Sequence, residues 1–115
     1  MVTLYGIKTC DTVRKARGWL DSHDVAYRFH DFRADGLERD RLGGWIKAVG
    51  WETLLNKAGT TFRKLPEARK QNLDGLAAFE LMLAEPTLIK RPVLERDGTV
   101  VVGFRPERYE GLFPG

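Results

Sequence analysis

The 115-residue chain has one cysteine, at position 10. That scarcity excludes an intrachain disulfide, and with it the stapled scaffolds of small secreted domains. It suits a reducing compartment, so a cytoplasmic protein is expected. Long apolar runs are also lacking: none approaches the roughly 20 residues of a bilayer-spanning helix, so no membrane association is expected. No basic segment followed by an apolar stretch stands near the start, so no secretory signal is expected. His23 and His30 are the only histidines, and neither stands with the cysteine at ligand spacing, so no metal site is expected. Charge of one sign is not concentrated. The net charge is +3, without a basic block or an interleaved aromatic-basic stripe. This argues against direct nucleic-acid binding, whereas a small anionic substrate fits the mild excess.

What remains is an ordinary globular composition, 43% hydrophobic and 30% charged, enough for one domain with a modest core. Residues 2–5 read as a short buried strand. A helix follows over 11–22, with Val13, Ala16, Trp19 and Leu20 on one stripe. Residues 27–31 read as a second strand, and the intervening helix makes a parallel β-α-β start the simplest topology. The middle turns helical. Leu42, Trp45, Ile46 and Val49 form an i, i+3, i+4, i+7 set that Gly50 closes, and 51–55 suggests another short helix. Residues 58–61 read as a loop, and Pro66 opens a further helical stretch. Asp74 is placed to cap a helix carrying Leu76, Phe79 and Leu83 inward, and Pro86 stops it. Two β runs then flank Arg96-Asp97-Gly98, a strong hairpin signal. Pro106 begins a last short helix ending near Leu112. Trp19 and Trp45 are expected in the core. Trp51 is expected either in the core or between subdomains.

This order predicts an α/β fold with a thioredoxin-like mixed sheet (β-α-β … β-β-α) and an inserted helical subdomain. One domain over 1–115 is expected, its thioredoxin-like part at about 1–34 and 86–115 and its insertion at about 35–85.

Cys10 falls between the first strand and the first helix. A thiol there meets the positive end of the helix and its unpaired N–H groups, which favour the nucleophilic thiolate. The alternative is an inert, hydrocarbon-packed cysteine; position favours the reactive reading. Val13 removes a Cys-x-x-Cys dithiol, Ala16 removes a Cys-x5-Arg phosphate loop, and no glycine-rich phosphate loop is present. Arg14 lies about one helical turn past Cys10, within reach of the sulfur or of an anion beside it. Asp11 pulls the opposite way, since a neighbouring carboxylate raises a thiol pKa. Without a resolving cysteine, a redox cycle through a mixed disulfide needs an external thiol, and glutathione is the abundant candidate. Arg63, Arg91 and Arg105 stand at element ends, where Arg is suited to gripping oxyanions, although most arginines are solvated surface groups. Pro92 precedes a strand, but only about 5–6% of X–Pro bonds are cis, so context alone leaves its isomer open. His30 reads as a strand histidine before it reads as a base for Cys10.

Five segments together resemble the ArsC/Spx/YffB family of arsenate-reductase-like proteins, nearest its YffB branch. They are Tyr5-Gly6-Ile7-Lys8-Thr9-Cys10-Asp11-Thr12, Trp51-Glu52-Thr53-Leu54-Leu55-Asn56-Lys57, Gly59-Thr60-Thr61-Phe62-Arg63, Pro86-Thr87-Leu88-Ile89-Lys90-Arg91-Pro92-Val93-Leu94 and Val102-Gly103-Phe104-Arg105. The resemblance covers essentially the full length. It implies that Cys10 is the nucleophile and that Arg63, Arg91 and Arg105 bind an oxyanion or a glutathione carboxylate. By the same resemblance Arg14 is the arginine one turn past the nucleophile, and Pro92 is a cis-proline beside the thiol. The family's arsenate reductases carry His four residues before the Cys and Ser three after it. Gly6 and Val13 stand there instead, which counts against arsenate turnover and leaves Lys8 to supply part of the missing positive charge. Spx regulators commonly carry a Cys-x-x-Cys switch, which Val13 removes. The implied activity is a monothiol reductase with no bound cofactor and glutathione as co-substrate, acting on a small oxyanion or disulfide. Glutaredoxin is a further candidate partner, and a monomer is expected. The alternatives are a true arsenate reductase and an Spx-like non-catalytic regulator that binds RNA polymerase.

Overall fold

The computed structural model describes residues 1–114. Its elements run β1 (Val2–Gly6), α1 (Asp11–Ser22), β2 (Arg28–Asp31), α2 (Phe32–Asp35), α3 (Arg39–Val49), α4 (Trp51–Leu54), α5 (Thr60–Arg63), α6 (Glu67–Lys70), α7 (Gly75–Ala84), a 3-10 turn (Pro86–Leu88), β3 (Val93–Arg96), β4 (Thr99–Val102) and α8 (Pro106–Leu112). They divide into two compact units. One comprises Met1–Asp35 with the chain from Arg91 onward; the other is Gly36–Lys90.

The first unit is built on a four-stranded mixed sheet of order β2-β1-β3-β4, the thioredoxin-like arrangement expected from the element order. β1 pairs in parallel with β2, Leu4 opposite Phe29, and antiparallel with β3, Leu4 opposite Leu94. As a central strand, β1 is buried almost throughout. Leu4 packs with Val2, Leu94 and Val101 of the sheet, with Ala16, Trp19 and Leu20 of α1, and with Tyr109 of α8. Tyr5, next along β1 and so on the opposite face from Leu4, stacks on Phe32 at 6.4 Å and sits 4.9 Å from the ring of His30, its partner in β2. β3 and β4 close as a hairpin with Arg96 opposite Thr99. The connection is therefore Asp97-Gly98, both at positive φ (47° and 85°), the backbone that an Asp-Gly turn favours.

The second unit is a set of mostly short helices. Leu42 and Trp45 of α3, Leu54 and Leu55 around α4, Ala78, Leu81 and Met82 of α7, and Leu88 and Ile89 after it are buried. The Leu55–Ile89 bridge and the Lys90 N–H donated to the Leu54 carbonyl (2.7 Å) keep 86–90 with this unit, a few residues beyond the boundary of about 85 that the sequence suggests. Trp51 lies in this unit, under the Lys57 ammonium at 5.6 Å. Two sequence expectations are corrected here. The segment 58–61 is not all loop, because Thr60 and Thr61 begin α5. Leu76 does not point inward: it is 71% exposed, and the buried stripe of α7 is Ala78, Leu81 and Met82. α7 (Gly-Leu-Ala-Ala-Phe-Glu-Leu-Met-Leu-Ala) is apolar nearly all round, so spacing alone does not pick the buried face. The Asp74 cap is present, its carboxylate accepting the Ala77 N–H at 2.8 Å.

Candidate active site

The nucleophile's position follows from how β1 hands over to α1. The chain leaves β1 at Gly6, turns back so that the Cys10 N–H reaches the Ile7 carbonyl at 3.0 Å, and enters the helix with Cys10 as N-cap residue. Cys10 is half-buried. Its extended backbone (φ −75°, ψ 127°) puts the side chain where a capping oxygen normally accepts from the first-turn amides. The sulfur closes no strict capping hydrogen bond, but the N–H groups of Thr12 and Val13 act on it as dipoles. The Arg91 guanidinium hydrogen-bonds it from the segment that precedes β3. Partial burial pushes the thiol pKa up; the Val13 amide, Arg91 and the Thr12 amide outweigh it, and the net direction is down from the ordinary thiol value.

The loop carrying Cys10 is tied to the end of β2. Asp31 accepts the Lys8 N–H at 3.2 Å with one carboxylate oxygen and the Arg33 N–H at 2.8 Å with the other. Burial raises the Asp31 pKa, but the amides of Arg33, Lys8 and Ala34 and the Arg33 charge together outweigh it and hold it below the usual carboxylate value. Sequence reasoning missed this anchor. The available signal was an Asp at a strand end directly before a helical turn, the Asx position that captures nearby amides.

The other sequence-derived candidates fall as follows. Arg91 is half-buried and is joined through a cis peptide to Pro92, whose carbonyl accepts the Gly103 N–H at 2.8 Å. Arg105 is exposed at the N-cap of α8, in the same unit as Cys10. Arg14 does not turn back to the sulfur. Its guanidinium donates to the Thr9 carbonyl at 3.2 Å and pairs with Asp11 at 3.3 Å, both ends well exposed. The Thr9 carbonyl and the Asp11 carboxylate take the fork, and the pairing also engages the carboxylate expected to oppose the thiolate. The Lys8 side chain is exposed, and its backbone rather than its ammonium makes the local contact. Arg63 is exposed at the end of α5 in the helical unit, its carbonyl accepting the Lys70 ammonium at 2.8 Å. His30 sits in β2 against Tyr5 and Phe32. His23 ends α1, stacked on Trp19 at 3.8 Å. Among the described residues no three His, Cys, Asp or Glu side chains are grouped to hold a metal ion, and no helix is long and apolar enough to cross a membrane.

Comparison with known proteins gives a consistent grouping. A Haemophilus influenzae protein of uncharacterised function is 43% identical over 113 residues, spanning 98% of this chain and 99% of its own. The global transcriptional regulator Spx of Listeria innocua is 29% identical, spanning 99% and 88%. A solved structure named YffB is 58% identical, with a TM-score of 0.94 over 96% of this chain and 97% of its own. An arsenate reductase (ArsC) related protein from Brucella melitensis is 57% identical, with a TM-score of 0.79 over 98% and 94%. The ArsC family model matches residues 5–112. The chain belongs to the ArsC family.

Proposed function

We propose that this protein is a cytoplasmic monothiol reductase of ArsC type that uses Cys10 as nucleophile and glutathione as co-substrate, with no bound cofactor. One observation carries the reading: the sulfur is held among the Thr12 and Val13 amides and the Arg91 guanidinium, which favour the thiolate. In the first step the thiolate attacks one sulfur of a disulfide. The new S–S bond joins it to Cys10, the old S–S bond breaks, and its electron pair leaves with the departing thiolate. A glutathione thiolate then attacks the mixed disulfide, restores the Cys10 thiolate and carries away the other half as a glutathione disulfide. Arg91 serves twice, stabilising the attacking anion and binding an anionic part of the substrate. Arg105 is assigned to the same grip, with Lys8 adding positive charge. Arg63 is assigned on the family resemblance alone, and Arg14 braces the loop through the Thr9 carbonyl. Neither a monomeric state nor glutaredoxin as a reductant is needed for the first step.

The test is mass spectrometry of the full chain after exposure to oxidised glutathione. The reading expects one glutathione adduct on Cys10, reversed by reduced glutathione and absent from Cys10→Ser. A wild-type chain that takes up none under conditions in which oxidised glutathione modifies free cysteine would contradict it. The Spx relatives supply a second reading, a non-catalytic binding module. A Cys10 thiol with ordinary titration and no adduct, combined with capture of RNA polymerase, would favour that instead.

A further inference from the structure

We propose that Gly6 and Val13 act as one steric unit that positions the Cys10 sulfur, Val13 being the positioning residue and Gly6 the space it requires. Gly6 ends β1, and Val13 lies in the first turn of α1 with none of its surface exposed. A Cβ at position 6 would stand 2.6 Å from Val13 Cγ2 and 3.2 Å from Cγ1. The first distance is far inside van der Waals contact, so the strand end and the helix start approach this closely only because one of them has no side chain. Gly6 is not among the residues at positive φ, and the requirement is for space alone. The methyls have no easy escape. A β-branched side chain in a helix is confined almost entirely to one χ1 well, and this one is packed on every side. A side chain at position 6 would therefore push the first turn of α1 as a body.

That turn carries the amides that face the sulfur, including that of Val13 itself. Their interaction with the thiolate weakens steeply with distance and angle. Packing on one side of Val13 thus sets electrostatics on the other. The role rests on the reading of Cys10 as nucleophile. The measurement below reads the thiol without any substrate, so failure of the coupling and failure of the reductase reading are distinguishable.

The geometry also says how the pair can be changed. The same Cβ at position 6 would lie 3.5 Å from Val13 Cβ, ordinary van der Waals contact. Alanine at both positions therefore fits without moving the helix, although each single change disturbs it: Gly6→Ala by collision, Val13→Ala by leaving a gap. The experiment is iodoacetamide alkylation of Cys10 in the full-length wild type, both single variants and Gly6→Ala/Val13→Ala, followed from neutral to alkaline pH, with thermal melting in parallel. We expect Gly6→Ala to slow alkylation at neutral pH about fivefold and Val13→Ala about threefold, with the double variant within about twofold of wild type, a non-additive cycle. All four rates should converge at alkaline pH, where the thiol is ionised regardless of its surroundings.

Single variants that melt earlier but alkylate at the wild-type rate would reduce the pair to a structural contact and overturn the proposal. A slowing that persists at alkaline pH would trace the effect to access rather than ionisation, with the same consequence. Should Gly6→Ala fail to fold, the double variant decides: folding with near wild-type alkylation supports the unit, and failure to fold or several-fold slower alkylation refutes it.

Discussion

The two units of this chain bury similar kinds of side chains for different ends. In the sheet unit, β1 is held on both edges by paired strands and on both faces by side chains, and the residues just past it inherit that rigidity. Cys10, its facing amides and Arg91 are all fixed to that frame. In the helical unit, α4, α5 and α6 are single turns of four residues, and their order depends on a buried centre around Trp45, Leu54 and Met82. Helices that short are not stable alone, so packing rather than local propensity holds them. The contrast teaches where a substitution should register: as thiol chemistry in the first unit, as stability in the second.

Trp45→Ala tests that division with the largest effect. Trp45 is 1% exposed, and removing a buried indole costs about 3–5 kcal/mol. Denaturant unfolding should show that loss. At a temperature where the variant is still folded, the titration of Cys10 should be close to wild type, because Val13, Arg91 and Thr12, which act on the sulfur, belong to the sheet unit. A large change in that titration would break the comparison.

A second contrast lies within the sheet unit. Arg91→Ala should slow alkylation of Cys10 at neutral pH about tenfold, by removing both a hydrogen bond and a charge from the thiolate. Arg14→Ala should leave the rate within about twofold, since its guanidinium is engaged by Thr9 and Asp11. Equal effects would show that general positive charge, rather than the Arg91 contact, sets the thiol.

Asp31→Ala should cost about 1 kcal/mol by freeing two backbone amides that its carboxylate holds. The sign with pH follows from its lowered pKa. The contribution is present above the carboxyl's unfolded value of about 3.9 and is lost as pH falls through the lower folded value. Stability curves of wild type and variant should therefore run apart at neutral pH and meet in acid.

The smallest effect is expected at Tyr109. Its ring is fully buried, edge-on to Trp19 at 5.5 Å and to Phe104 at 4.8 Å, and its hydroxyl has no hydrogen-bond partner among the described residues. Burial pushes the phenol pKa up, with a minor opposing pull from Arg108. Tyr109→Phe keeps the packing and removes a desolvated polar atom, so stability should stay within about 0.5 kcal/mol or rise. A loss above about 1 kcal/mol would reveal a polar contact at that hydroxyl.

Much of this architecture can be read from local sequence. Asp97-Gly98 between apolar runs admits little besides a tight hairpin, and the spacing of Val13, Ala16, Trp19 and Leu20 dictates one face of α1. The α7 face was not legible, because a helix apolar on all sides is oriented by what packs on it. The site divides along the same line. A lone cysteine at a strand-to-helix junction announces itself. The Asp31 anchor and the Gly6–Val13 contact depend on approaches between residues 23 and 7 positions apart, which the fold alone sets. Arg14 shows the limit of spacing arguments: one helical turn gives reach toward the sulfur, but the Thr9 carbonyl and the Asp11 carboxylate took the side chain.

The most direct test of the central claim is titration of the Cys10 thiolate by its ultraviolet absorbance in wild type and Arg91→Ala. Ionisation is expected below the ordinary thiol value of about 8.5 in wild type, and the Arg91 variant should shift upward toward it. A wild-type thiol that titrates at or above the ordinary value, unmoved by loss of Arg91, would contradict the account.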